Sequence, residues 1–208
     1  LITVFEPDIK VFLYSGSALQ KLYEINFKYN KNTEQTERFR TEIESLDFHE
    51  AIRIEDDDEP KDILEKALKY LRIGASVSDF SDDNSIYSAL IKKNANSEGY
   101  AIAYNYLCSL LNIECYIVYG QKGRADYCWN IVGFDDMYFH VDAAQCIADK
   151  NQNSFLLSDK DIWGEYRWNT YIYKPCQFDI NELEKEEIPE EKTTEESVAE
   201  NDDSFDEA

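Results

Sequence analysis

Between residues 113 and 141 three apolar, aromatic-rich segments follow one another with little between them. Residues 113–119 close at Gly120, residues 127–134 end at Asp135-Asp136, and residues 137–141 begin at once. Two strand-like runs separated by two turn-forming residues signal a hairpin. The polar stretch 121–126 predicts a turn ahead of the second run. Just upstream, Ala101, Tyr104, Leu107, Cys108 and Leu111 recur at helical spacing, and Asn96 or Ser97 stands where the cap of that helix belongs. A helix ending near Asn112 therefore leads into an antiparallel meander. Helices first and strands after predict an α+β fold, with a central helix packed on the meander or on a partly closed barrel.

The earlier third is less regular. Residues 2–5 and 9–14 read as extended, with Pro7-Asp8 as a turn between them. Tyr23, Ile25, Phe27 and Tyr29 alternate like a strand, and Phe39, Ile43 and Leu46 have helical spacing. Acidic residues 55–59 followed by Pro60 mark a helix start, because acids match the helix dipole and proline sets φ. Ile63, Leu64, Ala67, Leu68 and Leu71 then share one face, and Gly74 ends the run. Asp56-Asp57-Asp58 has the composition of a calcium loop, but no glycine-turned ligand loop follows, so a solvated helix start is the expectation. Residues 86–91 begin another short helix.

Composition narrows the function. In 208 residues, 43% hydrophobic and 14% aromatic content suffices for one domain with a core. A net charge of −22 argues against nucleic-acid binding, which needs clustered cations. From Asn181 to Ala208, 13 acids and 2 bases give −11, half of the total. Asp179-Ile180-Asn181-Glu182 is a capping-box pattern for a short helix to about Ile188. Beyond Pro189 too few apolar residues remain to offset chain entropy, so an acidic, largely disordered tail over 181–208 is predicted. No apolar run has membrane-spanning length. The chain begins at Leu1, which suggests an excised or processed piece with any targeting segment outside it. Five cysteines, none spaced as a zinc pair, are expected to be small buried hydrophobes. Neither a metal nor another cofactor is predicted.

Three motifs carry a resemblance. Ser97-Glu98-Gly99-Tyr100-Ala101 opens the central helix, Tyr127-Cys128-Trp129-Asn130 lies about thirty residues on, and Phe139-His140-Val141-Asp142 follows. In order and spacing they resemble the bacterial transglutaminase-like family, whose motifs are Cys-Glu-Gly-Tyr-Ala, His-Ala-Trp-Asn and Tyr-His-Val-Asp. The likeness covers about residues 75–159. It implies a core like that of papain-like cysteine peptidases, preceded by packing elements over 1–74 and extending over 75–180. It also suggests a surface or secreted location.

In that family a cysteine thiolate at a helix N-terminus attacks a carbonyl, a histidine moves the proton, and an aspartate orients the histidine. Here Ser97 and Tyr127 stand at the cysteine and histidine positions, and Asp142 keeps the third. Serine depends on a general base, and a phenol with pKa near ~10 is a poor one at neutral pH. The triad positions therefore read as degenerate, with Ser97, Tyr127 and Asp142 joined instead in a chain of hydrogen bonds. A second reading makes His140 the base for Ser97, since His140 and Asp142 are two apart on a strand and share a side. Cys128 points away from Tyr127 and reads as packing. His49 reads as a surface residue. Glu98, Tyr100, Trp129, His140 and Trp163 are the residues expected to line a former active-site cleft, open to a peptide or glycan. Three functions remain: a non-catalytic binding or scaffold module, a hydrolase or acyltransferase with unorthodox residues, and a purely structural domain.

Overall fold

The computed structural model describes residues 6–11, 23–28, 33–80, 83–151, 153–181 and 183. Strands β1 (Glu6–Val11) and β2 (Tyr23–Lys28) form an antiparallel pair, with Glu6 opposite Lys28 and Val11 opposite Tyr23. The turn expected at Pro7-Asp8 is corrected, because both residues lie inside β1. A two-stranded pair has only edges, and an edge tolerates the missing amide of Pro7. The expected segment 2–5 and the acidic tail from 184 lie outside the described residues.

Helices α1 (Thr33–Glu44), α2 (Phe48–Ile52) and α3 (Pro60–Arg72) come next. Pro60 opens α3 as its sequence predicts, and Asp62 accepts the Glu59 amide at 3.3 Å. Asp58 accepts the Glu55 amide and the Lys66 ammonium at 2.5–2.7 Å, so its carboxylate is tied into the turn. Leu64, Ala67, Leu68 and Leu71 are fully buried along one stripe of α3. Short strands β3 (Ser76–Val77) and β4 (Asn94–Ala95) pair in parallel around α4 (Ile86–Leu90).

The central helix α5 (Ser97–Leu110) is capped by Asn96, whose side chain accepts the Gly99 amide at 3.0 Å. Gly99 is required by closeness. A Cβ there would lie 2.8 Å from the Asp83 carbonyl and 3.2 Å from that of Ser85. The chain then forms a five-stranded antiparallel sheet that curls as a half-barrel, in the order β8-β7-β6-β5-β9. Its strands are β5 (Glu114–Lys122), β6 (Ala125–Phe134), β7 (Met137–Val141), β8 (Phe155–Leu157) and β9 (Tyr166–Arg167). Asp135 and Asp136 make the β6–β7 turn with φ of 51° and 60°, the pair of positive values a primed hairpin turn needs. The turn expected over 121–126 shrinks to Gly123-Arg124. Gln121 and Lys122 stay extended because β9 pairs with them. Helices α6 (Ala143–Asp149) and α7 (Asp159–Ile162), absent from the sequence expectation, follow β7 and β8.

Alternation along the sheet divides the interior. Val132, Phe139 and Val141 join Leu64, Leu68, Leu71, Tyr104 and Leu107 in the larger core beneath α5. Val118, Trp129, Ile131, Ile162, Tyr166 and Cys176 make a second core on the opposite face. All five cysteines are free, and only Cys115 is not buried.

Candidate functional site

Ser97 is the first residue of α5 and half-buried. Its hydroxyl oxygen accepts the backbone amide of Cys128 at 3.3 Å. That amide points away from β5 and lies beyond the β7 pairing, which starts at Asn130, so the hydroxyl fills a vacant place on the strand. One residue further, Glu98 accepts the Asn84 side-chain amide at 3.2 Å. No hydrogen bond among the described residues joins Ser97 to Tyr127, His140 or Asp142. The expected three-member chain is therefore corrected to two separate pieces.

The second piece centres on Asp142, 3% exposed, at the N-cap of α6. Its Oδ1 accepts the Gln145 amide at 2.8 Å and the Tyr127 hydroxyl at 3.1 Å. Its Oδ2 accepts the Tyr166 hydroxyl at 2.7 Å and the Lys122 ammonium at 3.3 Å. Lys122 also donates to Gln145 Oε1 at 2.5 Å and lies over the rings of Tyr127 and Tyr166, 5.2 and 4.7 Å from their centroids. Burial, and then the Asp142 charge, pushes both phenols far above the usual tyrosine range. Each phenol is thus a locked donor, the opposite of a proton acceptor.

The third cluster surrounds His140, 2% exposed. Trp129 Nε1 donates to His140 Nδ1 at 3.0 Å, and His140 Nε2 lies 2.8 Å from Asp159 Oδ1. An indole N–H only donates, so Nδ1 carries the lone pair and Nε2 carries the hydrogen that Asp159 accepts. Asp159 is held in turn by the Cys176 amide at 3.2 Å, and its own amide donates to the Cys176 carbonyl at 2.7 Å. His140, Asp159 and Cys176 offer ligand atoms within 4.8 Å of one another, the geometry of a metal candidate. The chemistry does not fit. The His140 tautomer presents a hydrogen toward that space, and burial pushes the Cys176 thiol upward, away from the thiolate a metal needs.

The structure brings together some predicted residues and separates others. Tyr127 and Asp142 meet directly. Both ring nitrogens of His140 are engaged by Trp129 and Asp159, so His140 is not placed as a base for Ser97. Tyr100 is fully buried, its hydroxyl donating to the Ser76 carbonyl at 2.7 Å, and Trp129 is 1% exposed. Tyr100, Trp129 and His140 therefore form core, while Glu98 and Trp163, the latter 76% exposed, reach solvent. Cys128 is buried, and its thiol is pushed up to about 12 by burial and then by Glu98 and Asp126. Lys122 and Gln145 were not singled out from the sequence, and Asp159 only as the end of the stretch that carries the resemblance. Lys122 sits at a predicted turn and Asp159 is 17 residues from Cys176, so no local pattern marks either. A capping signal at Asp142 was the one available clue to Gln145.

No protein-family model matches the chain, and a search of curated proteins finds no match. Among solved structures, one described as a TGase aligns with a TM-score of 0.44 and 14% identity. The alignment covers 74% of this chain and 47% of that one, so the chain spans less than half the length of the protein it matches.

Proposed function

We propose that the chain is a transglutaminase-like domain that has lost its chemistry and serves as a binding or scaffold module for a peptide or glycan. The observation that carries this reading is the state of Asp142. All four of its partners are donors from this chain: two phenols, a backbone amide and an ammonium. A triad aspartate orients a base, whereas this one staples β5, β6, β9 and α6 together. Ser97 supports the same reading, since its hydroxyl accepts a backbone amide and, among the described residues, no hydrogen bond joins it to a proton acceptor. Ligand contact then falls to solvent-facing groups: Tyr119 is 56% exposed, Trp163 76% and Tyr171 97%.

The test has two arms. Purified protein is incubated with a fluorophosphonate probe and assayed for transglutaminase and amidase turnover. The reading expects neither labelling nor turnover, and stoichiometric modification at Ser97 would overturn it. In the second arm, tryptophan emission is followed during titration with peptide and oligosaccharide libraries. Trp163 is the most exposed tryptophan, so saturable quenching that Trp163→Phe abolishes is expected.

A further inference from the structure

The outer edge of β5 is an incomplete one. Lys122 and Ala125 close the β5–β6 hairpin around Gly123-Arg124, so alternate β5 residues starting at Lys122 bond to β6. The residues between them, Cys115, Ile117, Tyr119 and Gln121, turn their backbone groups outward. β9 is two residues long and pairs only with Gln121 and Lys122. Two side chains answer two of the remaining groups: the Tyr173 hydroxyl accepts the Tyr119 amide at 3.0 Å, and Asn105 donates to the Cys115 carbonyl at 2.6 Å. Among the described residues no hydrogen bond meets the Cys115 amide, either backbone group of Ile117, or the Tyr119 carbonyl. These four groups lie along about 13 Å of strand.

Ile117 is half-buried and Tyr119 more exposed, so water and a ligand both reach this edge. An exposed edge with free donors and acceptors is a template for another extended backbone. Its surroundings are acidic. Asp126 pairs across from Gln121, burial and then the Glu98 carboxylate push the Tyr119 phenol up to about 12, and Glu98 and Asp126 both act on the neighbouring Cys128 thiol.

We infer that β5 takes up a basic, extended peptide as an added strand, with the backbone of Ile117 at the centre of the pairing and Glu98 and Asp126 attracting Lys or Arg side chains. This rests on the binding-module reading and names the ligand class as peptide. The free Ile117 groups specify a backbone partner, which a glycan lacks. The local charge and the chain's net −22 select a cationic one.

The probe is acetyl-Lys-Val-Lys-Val-Lys-Val-Lys-amide, compared with the same peptide N-methylated at its valines. Binding is followed by amide shifts and by hydrogen exchange at Cys115 and Ile117. The expected result is saturable binding of the unmethylated probe with slowed exchange at Ile117. Ile117→Pro removes an amide that faces away from β6, a position where an edge strand tolerates proline, so the fold is retained. It should weaken binding on the order of tenfold, the worth of one or two net hydrogen bonds. N-methylation of the probe tests the same bonds from the peptide side and does not depend on the variant folding. Equal binding of both probes, or no binding of the plain one, overturns the inference. So does self-association of the protein through this edge, which would make a second copy the occupant. Labelling of Ser97 by the fluorophosphonate would instead remove the non-catalytic reading and leave the strand edge to be judged by its own titration.

Discussion

Beneath α5, the sheet meets the helices through Val132, Phe139 and Val141 against Leu64, Leu68, Tyr104 and Leu107. On the opposite face, Trp129, Ile131 and Tyr166 share the interior with His140, Asp142 and the stem of Lys122. The first face is held by area removed from water, and its polar intruder, Asn130, donates to the Ala101 and Tyr116 carbonyls while its Oδ1 has no partner. The second adds to its apolar packing a set of buried groups hydrogen-bonded to one another. Damage to the two faces should therefore look different. Loss of an apolar group costs in proportion to the space vacated. Loss of a polar group leaves its partners buried and unmatched, so its effect depends on which neighbours remain.

The largest effect is expected from Asp142→Ala. It strands a buried ammonium and two phenols, and should cost about 3–5 kcal/mol, as for breaking a buried ion pair. Urea unfolding measures it, and a loss below about 1 kcal/mol would show that solvent reaches the cluster. Leu107→Ala, on the other face, should cost about 2–5 kcal/mol through transfer and cavity terms. Combined with Asp142→Ala it should be additive to within about 0.5 kcal/mol, since the two sites share no partner.

Tyr127→Phe and Tyr166→Phe each remove one donor to Asp142 and should each cost about 1–3 kcal/mol. The pair should depart from additivity, because both phenols serve one carboxylate. A strictly additive cycle would show that the polar face behaves like the apolar one.

The alkaline limb of stability sharpens the contrast further. The folded state holds Tyr127 and Tyr166 protonated well beyond their ordinary pKa, and Cys128 and Cys146 up to about 12. A raised folded pKa gives stability that is fully present below the unfolded value and lost as pH rises beyond it. The loss should begin near pH ~8.5, where unfolded cysteines ionise, and steepen above ~10 with the tyrosines. Replacing both phenols by Phe should flatten the part above pH ~10. An unchanged slope would mean that the tyrosines do not hold their protons in the fold.

The smallest expected change in stability comes from Ser97→Cys, which keeps the size and place of the group. Its kinetic signature is larger. A thiol at the start of α5 should fall below the usual value of about 8.5 and react with iodoacetamide near pH ~7 faster than the native cysteines. Equal rates would mean that the Cys128 amide and the neighbouring Glu98 outweigh the helix terminus.

Several features were readable in the chain because neighbours in sequence create them. The capped start of α5, the Pro60 helix start, the buried stripe of α3 and the Asp135-Asp136 turn all depend on contacts within a few residues. α6 and α7 were not readable in this way. Each is a few residues long, has no repeating apolar pattern, and owes its place to the strands it follows. Tyr100 is taken from the expected cleft by its place in the core beneath α5, and Trp129 and His140 are taken from it for a related reason. Alternation assigns a side chain to a face, but whether that face is solvent or interior depends on what crosses it, here the chain around Ile162, Tyr166 and Cys176.

The order of helices and strands and the antiparallel meander were legible in the chain, because strand period and turn chemistry are local, whereas the pairing of positions 127 and 142 was implied only by the family resemblance. Tertiary structure alone decided which proton each polar group holds. The Asp142 carboxylate collects donors from positions 122, 127, 145 and 166, and the His140 tautomer is set by Trp129 and Asp159. Those partners lie 3 to 24 residues away, and hydrogen bonding in a buried site depends on distance in space, which strand pairing and the curl of the sheet impose.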